Sequence, residues 1–249
     1  MSKSKLRKFA EMRLYENYFN ADFDVLRNVH FPMRGRWNRD HFMNYNPIVL
    51  ELGCGKGEYT VGLARLMPEV NFIGVDIKGA RMYDGATKAL NENLTNVAFV
   101  RTHIEYIEAF FAPGEVEELW ITFPDPQMQK PRKRLVGTMM LHRYQSLLRN
   151  GGMINLKTDS PYLYTYTRTL LDANGITPVI ATDDLYATQP QDPALSIRTY
   201  YEDKWTEHGL TTKYIRFSLP SNVSLVEPTV DIPFDTYRSA GRGVRELKE

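Results

Sequence analysis

Between Pro47 and Ile180 the chain alternates between two hydrophobic patterns. Short, nearly unbroken apolar runs stand at Ile48–Leu52 (IVLEL), Asn71–Asp76 (NFIGVD), Val97–Val100 (VAFV), Glu118–Phe123 (ELWITF) and Met153–Lys157 (MINLK). Runs of this length without polar alternation are expected of strands covered on both faces. Between them, apolar residues recur at helical spacing: Tyr59, Gly62, Leu63, Leu66; Ala80, Tyr83, Ala86, Leu90; and Met140, Tyr144, Leu147, Leu148. Repeated alternation of strand and helix predicts a doubly wound α/β domain with a mostly parallel sheet. Right-handed crossovers then put a ligand site beyond the carboxyl ends of the strands. Gly151-Gly152 punctuates the entry to the fifth strand, and KYIRFSL (Lys213–Leu219) is a candidate edge strand. Three segments follow: an N-terminal arm (1–46), the α/β domain (47–219) and a C-terminal tail (220–249), the last expected to be partly ordered. No internal repeat or low-complexity tract interrupts them.

Composition narrows the class. Net charge is +1, so any nucleic-acid partner must be met by a local basic patch. Cys54 is the one cysteine, which leaves no disulfide framework and no cysteine-based zinc site, and no metal site is expected. No apolar run reaches the length of a membrane span. The basic start, MSKSKLRKFAEMRLYE, lacks the apolar core of a secretory signal. The expectation is a cytoplasmic protein with no membrane partner, monomeric or homodimeric.

The strongest local motif is Glu51-Leu52-Gly53-Cys54-Gly55-Lys56-Gly57-Glu58, which follows a predicted strand and opens a predicted helix. Gly53, Gly55 and Gly57 let backbone approach a ligand closely. A dinucleotide fingerprint needs a third glycine where Glu58 stands, and a glutamate at a helix N-terminus repels a pyrophosphate. A nicotinamide-dependent oxidoreductase is therefore disfavoured. The loop favours a ligand without phosphates, such as S-adenosyl-L-methionine, whose sulfonium and ammonium are cations suited to Glu51. Asp76 ends the second strand, where a carboxylate can accept hydrogen bonds from ribose hydroxyls. The bland alternative is a tight turn with Asp76 as a helix cap. His103 follows the third strand, where an adenine is expected, and reads equally as a surface histidine.

Glu118–Phe123 runs into Pro124-Asp125-Pro126. Residues before proline favour extended conformations, so Phe123 and Asp125 are expected to be extended, with the carboxylate fixed at the end of a central strand. Lys130-Pro131-Arg132-Lys133-Arg134 follows at the mouth of the expected site. Such cations read either as a solvated face or as phosphate contacts. In the arm, Lys3, Lys5, Arg7, Lys8, Arg13, Arg34, Arg36 and Arg39 interleave with Phe31, Trp37, Phe42 and Tyr45. Cations with aromatics suit backbone contact and base stacking, and suit a packing arm as well.

Taken together, LELGCGKGEYT, IGVDIK, FPDP followed by KPRKR, NLKTDSPYLY and TYYEDKW resemble the bacterial tRNA (guanine-N7-)-methyltransferases over roughly residues 45–218. The resemblance implies a seven-stranded class I methyltransferase fold, S-adenosyl-L-methionine as donor and a variable-loop guanine of tRNA as acceptor. It implies that Glu51 and Asp76 hold the cofactor with the glycine turn. Asp125 becomes the catalytic aspartate beside the cofactor, and Lys130, Asp159, Thr199 and Glu202 become substrate contacts. The pattern departs at four places: the basic run is shorter than usual, His103 stands where the family has Asp or Asn, and Gln127 where a tryptophan commonly follows FPDP. Gln129 takes the lysine position, with Lys130 next. The arm is then read as RNA-facing. Two rivals remain: a class I methyltransferase for another RNA, a protein or a small molecule, and a non-catalytic RNA-binding module.

Overall fold

The computed structural model describes residues 3–21, 30–188, 191–200, 202–203, 210–221 and 223–234, with the side chains of residues 3–5 excepted. Readings that fall on the side chains of Lys3 and Lys5, on positions 201, 204 and 205 of TYYEDKW, and on residues 235–249 lie outside the described residues.

Each apolar run becomes a strand, with the expected bounds at β2 (Ile48–Leu52) and β3 (Asn71–Asp76); β4 (Val97–Arg101) is one residue longer, β5 (Val116–Thr122) starts two residues earlier and ends one earlier, and β6 (Leu148–Thr158) starts five residues earlier and ends one later. With β1 (Tyr18–Asn20), β7 (Ile180–Thr182) and β8 (Lys213–Ser218) they form one sheet, ordered β1-β4-β3-β2-β5-β6-β8-β7. The pairs from β1 through β6 are parallel, and β8 runs antiparallel to both β6 and β7. The chain winds outward from β2 through β3 and β4, then restarts at β5 on the other side. The switch between β2 and β5 opens a crevice at the carboxyl ends of these two strands.

Alternate residues of each strand feed two cores, because successive side chains point to opposite faces. Val49, Phe72, Phe99 and Trp120 pack with α2 (Glu58–Leu66) and α3 (Gly79–Asn91) on one face. Leu50, Ile73, Val100 and Leu119 pack with α4 (Thr138–Leu147) and α5 (Pro161–Ala173) on the other. The buried face of α3 is rotated from the expected one: Met82, Ala86 and Ala89 are buried, while Ala80, Tyr83 and Leu90 are half-buried. Tyr83 is turned toward α1 (Lys3–Met12), where its hydroxyl donates to Glu11 and Lys8 lies over its ring. No helix among the described residues is long and apolar enough to cross a membrane.

Four expectations are corrected. Among the described residues the sheet has eight strands, because Tyr18–Asn20 of the arm adds a parallel edge to β4. Lys213–Ser218 is not an edge strand but lies between β6 and β7. Gly151-Gly152 does not precede a strand. It forms an irregularity inside β6, where Val116 pairs with Leu148 but Glu118 pairs with Met153, and Gly151 takes a positive φ of 77°. The arm's aromatics do not await bases. Trp37 is fully buried, its Nε1–H donates to the Phe110 carbonyl at 3.0 Å, and Phe31, Phe42 and Phe111 pack around it. Tyr45 alone of the four named aromatics is fully exposed.

The C-terminal tail is also partly core. Asn174 exchanges hydrogen bonds with the backbone of Val226. Glu227 accepts from Tyr166 and Thr138, and Ile232 is buried. Truncating Trp37 to alanine should therefore cost about 3–5 kcal/mol in urea unfolding, as for a buried aromatic. A loss below about 0.5 kcal/mol, typical of a surface position, would return the arm to an exposed role.

Candidate active site at the carboxyl ends of the strands

The glycine turn is built by backbone geometry that side chains would block. Gly53, Gly55 and Gly57 all have positive φ, at 79°, 57° and 73°, a region favourable to glycine alone. A Cβ on Gly57 would lie 2.5 Å from the Phe99 ring, and one on Gly85 would lie 2.5 Å from the Lys56 carbonyl. The turn is thus pressed onto α3. Its amides are held from β3: Gly53 and Cys54 donate to the Val75 carbonyl, and Gly55 N–H donates to Asp76 Oδ2 at 3.0 Å. Asp76 Oδ1 accepts from Lys78 N–H at 2.7 Å. Each Asp76 oxygen therefore keeps a lone pair for a ligand.

Glu51 lies at the floor. Its Oε2 accepts from Thr60 N–H at 2.8 Å and from the Thr60 hydroxyl, and its Oε1 accepts from the Thr122 hydroxyl at 2.6 Å. Burial pushes the carboxyl up to about 7, against the pull of these three donors. Desolvation without a neighbouring cation is the cause.

Above the floor is a cleft of about 490 Å³. Its lining includes Glu51, Gly53, Gly55, Lys56, Glu58, Asp76, His103, Thr122, Phe123, Asp125, Gln127, Lys133 and Thr199. The structure thus brings Gly53 and Gly55 of the glycine turn, Asp76, His103, Asp125 and Thr199 to one cavity, whereas Gly57 packs against Phe99 and Gly85 and is outside its lining. Glu58 sits at the N-terminus of α2, where its Oε2 accepts from Tyr200 N–H. His103 precedes a turn of 3-10 helix at Ile104–Ala109.

The turn after β5 differs from the expectation. Phe123 is not extended: its φ is 47°, and Gln127 follows at 48°. A non-glycine residue in this region costs about 1–3 kcal/mol and persists only when its surroundings impose it. The Phe123 amide is fixed by a 2.8 Å bond to the Lys157 carbonyl of β6, so strand pairing overrides the pre-proline preference. Between these two residues, Asp125 Oδ1 accepts from Gln127 N–H at 3.1 Å.

The remaining carried-over residues fall outside the cleft lining. Asp159 is buried at the end of β6, and Lys130 is exposed ahead of the Pro131–Lys133 turn. Glu202 is buried, with Lys157, the Tyr186 hydroxyl and the Thr212 hydroxyl on its carboxylate. Its backbone amide donates to Thr199 Oγ1 at 3.2 Å. Lys157 has no exposed side-chain surface; its ammonium also donates to the Leu195 and Ile197 carbonyls. The signal for Lys157 was a lysine inside an apolar strand, since a buried charge must be paired.

Sequence reasoning also missed Thr60 and Thr122, which carry no motif of their own, and it misjudged Arg134. That residue is not at the mouth of the site. It is 2% exposed and turned inward.

Comparison with known proteins places this geometry in context. A family model described as "Putative methyltransferase" matches residues 45–215. A tRNA (guanine-N(7)-)-methyltransferase of Bacteroides fragilis (strain YCH46) is 51% identical over 98% of this chain and 97% of its own length. One of Porphyromonas gingivalis (strain ATCC BAA-308 / W83) is 54% identical over 94% and 98%. Among solved structures, the 16S rRNA methyltransferase KamB superposes with a TM-score of 0.56 at 15% identity, covering 71% of this chain and 89% of that one. A 16S rRNA (adenine(1408)-N(1))-methyltransferase variant of Catenulisporales acidiphilia, solved with cosubstrate SAM, gives 0.51 at 17%, covering 77% and 93%. These two likenesses carry the fold.

The Glu51 environment generates a pH prediction. Its folded pKa of about 7 exceeds the ordinary 4.5. The neutral form's advantage is therefore full below about 4.5 and is lost as pH rises through about 7. Glu51→Gln, which stays neutral, should match the parent's Tm at pH 4. At pH 8 it should exceed the parent by the equivalent of about 3 kcal/mol. A Tm difference independent of pH would show that Glu51 does not titrate in the folded protein.

Proposed function

The chain belongs to the tRNA (guanine-N(7)-)-methyltransferase family, and we propose that the cleft over its glycine turn is where S-adenosyl-L-methionine and a tRNA guanine meet. As a member of that family it is an enzyme that methylates N7 of a guanine in tRNA. The observation that carries the site assignment is the convergence of Gly53, Gly55, Asp76 and Asp125 on one cavity.

The residues present fit the donor. When bound, S-adenosyl-L-methionine supplies a methyl group on a cationic sulfonium. Positive-φ glycines leave the cradle that its body needs, and the carboxylates of Glu51 and Asp76 complement its positive charge. The free lone pairs of Asp76 suit ribose hydroxyls. His103 lies in the same lining and is our candidate for the adenine end. Glu58, at the helix N-terminus, opposes a phosphate-bearing cofactor.

Guanine N7 has an in-plane lone pair and no proton, so the reaction needs no general base. Alignment is then the main task of the protein. Asp125 is held by the two left-handed residues around it. A carboxylate on the base side of the cleft stabilises positive charge as it arrives on the guanine ring. Thr199 lines the cleft as a substrate contact, and Asp159 is the candidate for the donor edge of guanine. The Glu202 carboxylate is occupied by Lys157, Tyr186 and Thr212, so its part is to hold the segment that presents Thr199. Lys130 and Arg132 are exposed beside the cleft and Lys133 lines it, which suits phosphates of tRNA. The acceptor we favour is a variable-loop guanine, as the motif resemblance implies, met by a cytoplasmic monomer or homodimer.

Three outcomes check this reading. With labelled S-adenosyl-L-methionine and unmodified tRNA, label should appear on N7 of a variable-loop guanine. Label on another atom would remove the acceptor assignment. Asp125→Ala should abolish transfer while cofactor affinity stays within about tenfold, or 1.4 kcal/mol; near-normal turnover would remove Asp125 from the mechanism. Neutralising Arg132 and Lys133 together should reduce the slope of log K against log salt by about 1.5. An unchanged slope would make the two cations a solvated face.

A further inference from the structure

Arg134 closes the basic run, yet its guanidinium points into the protein. Its Nε–H donates to the Pro126 carbonyl at 3.1 Å, and its Nη2 donates to the Gln127 carbonyl at 3.3 Å and the Tyr162 hydroxyl at 2.7 Å. The Met128 carbonyl lies 3.5 Å from the same nitrogen. Its carbon lies 3.9 Å from the centre of the Tyr166 ring and 5.2 Å from that of Tyr162. The carbonyls of three successive residues thus converge on one buried cation. The first of them follows Asp125 directly, and the second belongs to Gln127, whose φ is 48°.

A buried guanidinium is costly unless hydrogen bonds and aromatic faces compensate it, and here both do. The same bonds impose the left-handed geometry at Gln127, whose amide holds Asp125 Oδ1. The network extends outward. The Tyr166 hydroxyl donates to Glu227 Oε2 at 2.7 Å, and Glu227 Oε1 receives the Thr138 hydroxyl at 2.5 Å. Glu227 lies in the C-terminal tail, 93 positions beyond Arg134.

We propose that Arg134 is the positioning residue of the Asp125 turn, and that Glu227 of the C-terminal tail, acting through Tyr166, fixes Arg134 in place. This rests on Asp125 being the catalytic carboxylate. Lysine cannot replace Arg134 fully, because one ammonium lacks the planar fork that spans the Pro126 carbonyl and the Tyr162 hydroxyl. A displacement of the turn by about 1 Å is enough to cost on the order of a hundredfold in rate.

The experiment measures kcat, KM for tRNA, cofactor affinity, Tm and the salt slope of tRNA binding. The proteins are the parent, Arg134→Lys, Arg134→Gln, Glu227→Gln and Asp125→Ala. We expect kcat to fall about tenfold in Arg134→Lys and about a hundredfold in Arg134→Gln. Cofactor affinity and salt slope should stay at parental values. Glu227 is exposed, and Glu227→Gln keeps one acceptor oxygen, enough for Thr138, while removing the charge and putting an NH2 donor where the Tyr166 hydroxyl now donates. It should lower kcat about threefold with KM and Tm unchanged, a readout that survives if the Arg134 variants fail to fold. Parental kcat in the Arg134 and Glu227 variants, beside an inactive Asp125→Ala, would overturn the positioning role alone. A salt slope lower by about 0.8 in Arg134→Gln would overturn it in favour of a phosphate contact. An active Asp125→Ala would instead sink the catalytic assignment on which it rests.

Discussion

The Asp76 carboxylate, accepting one amide from the glycine turn and one from the start of the next crossover, ties the ends of β2 and β3 together. Without those bonds, three left-handed glycines at alternate positions would have little reason to stay in one conformation, since glycine loses the most backbone freedom on folding. With them, the turn lies flat against α3 and leaves its outer surface to a ligand. Glu51 performs the equivalent task one layer down, joining α2 and the end of β5 through Thr60 and Thr122. The cleft is therefore defined by carboxylates that hold backbone as well as by carboxylates that face a ligand. Asp76 does both.

On the far wall, the turn bearing Asp125 is held differently. Two left-handed residues flank it, one fixed by pairing with β6 and the other by a buried guanidinium. Local preference for extended backbone before proline loses to these tertiary bonds. On the reading proposed above, a strained turn is useful here because a methyl transfer without a general base depends on alignment, and alignment depends on a wall that does not yield.

The segments on either side of the α/β domain support these walls. The arm supplies an edge strand and a tryptophan to one core, and the tail supplies Glu227 to the face behind the Asp125 turn. Likewise, Lys157 and Glu202 tie the segment bearing Thr199 to the end of β6. Each of these contacts joins residues 45 or more positions apart. Such pairings are invisible to periodicity, which reads only a few turns or one strand at a time.

The sequence by itself determined the class of fold, the five central strands, the glycine turn with its acidic partner, and the place of the FPDP turn, though not the backbone of Phe123 within it. All of these are local: a period, a glycine where a Cβ does not fit, or a carboxylate at a strand end. Only the tertiary structure decided which face of α3 is buried, because α1 covers one side of it. It also decided that Trp37 is core and that Arg134 points inward. A cation in a basic run and an aromatic in a basic arm look alike whether they face phosphate or protein. The partners that distinguish the two cases, the Tyr162 hydroxyl for Arg134 and the Phe110 carbonyl for Trp37, are brought close only when the sheet closes.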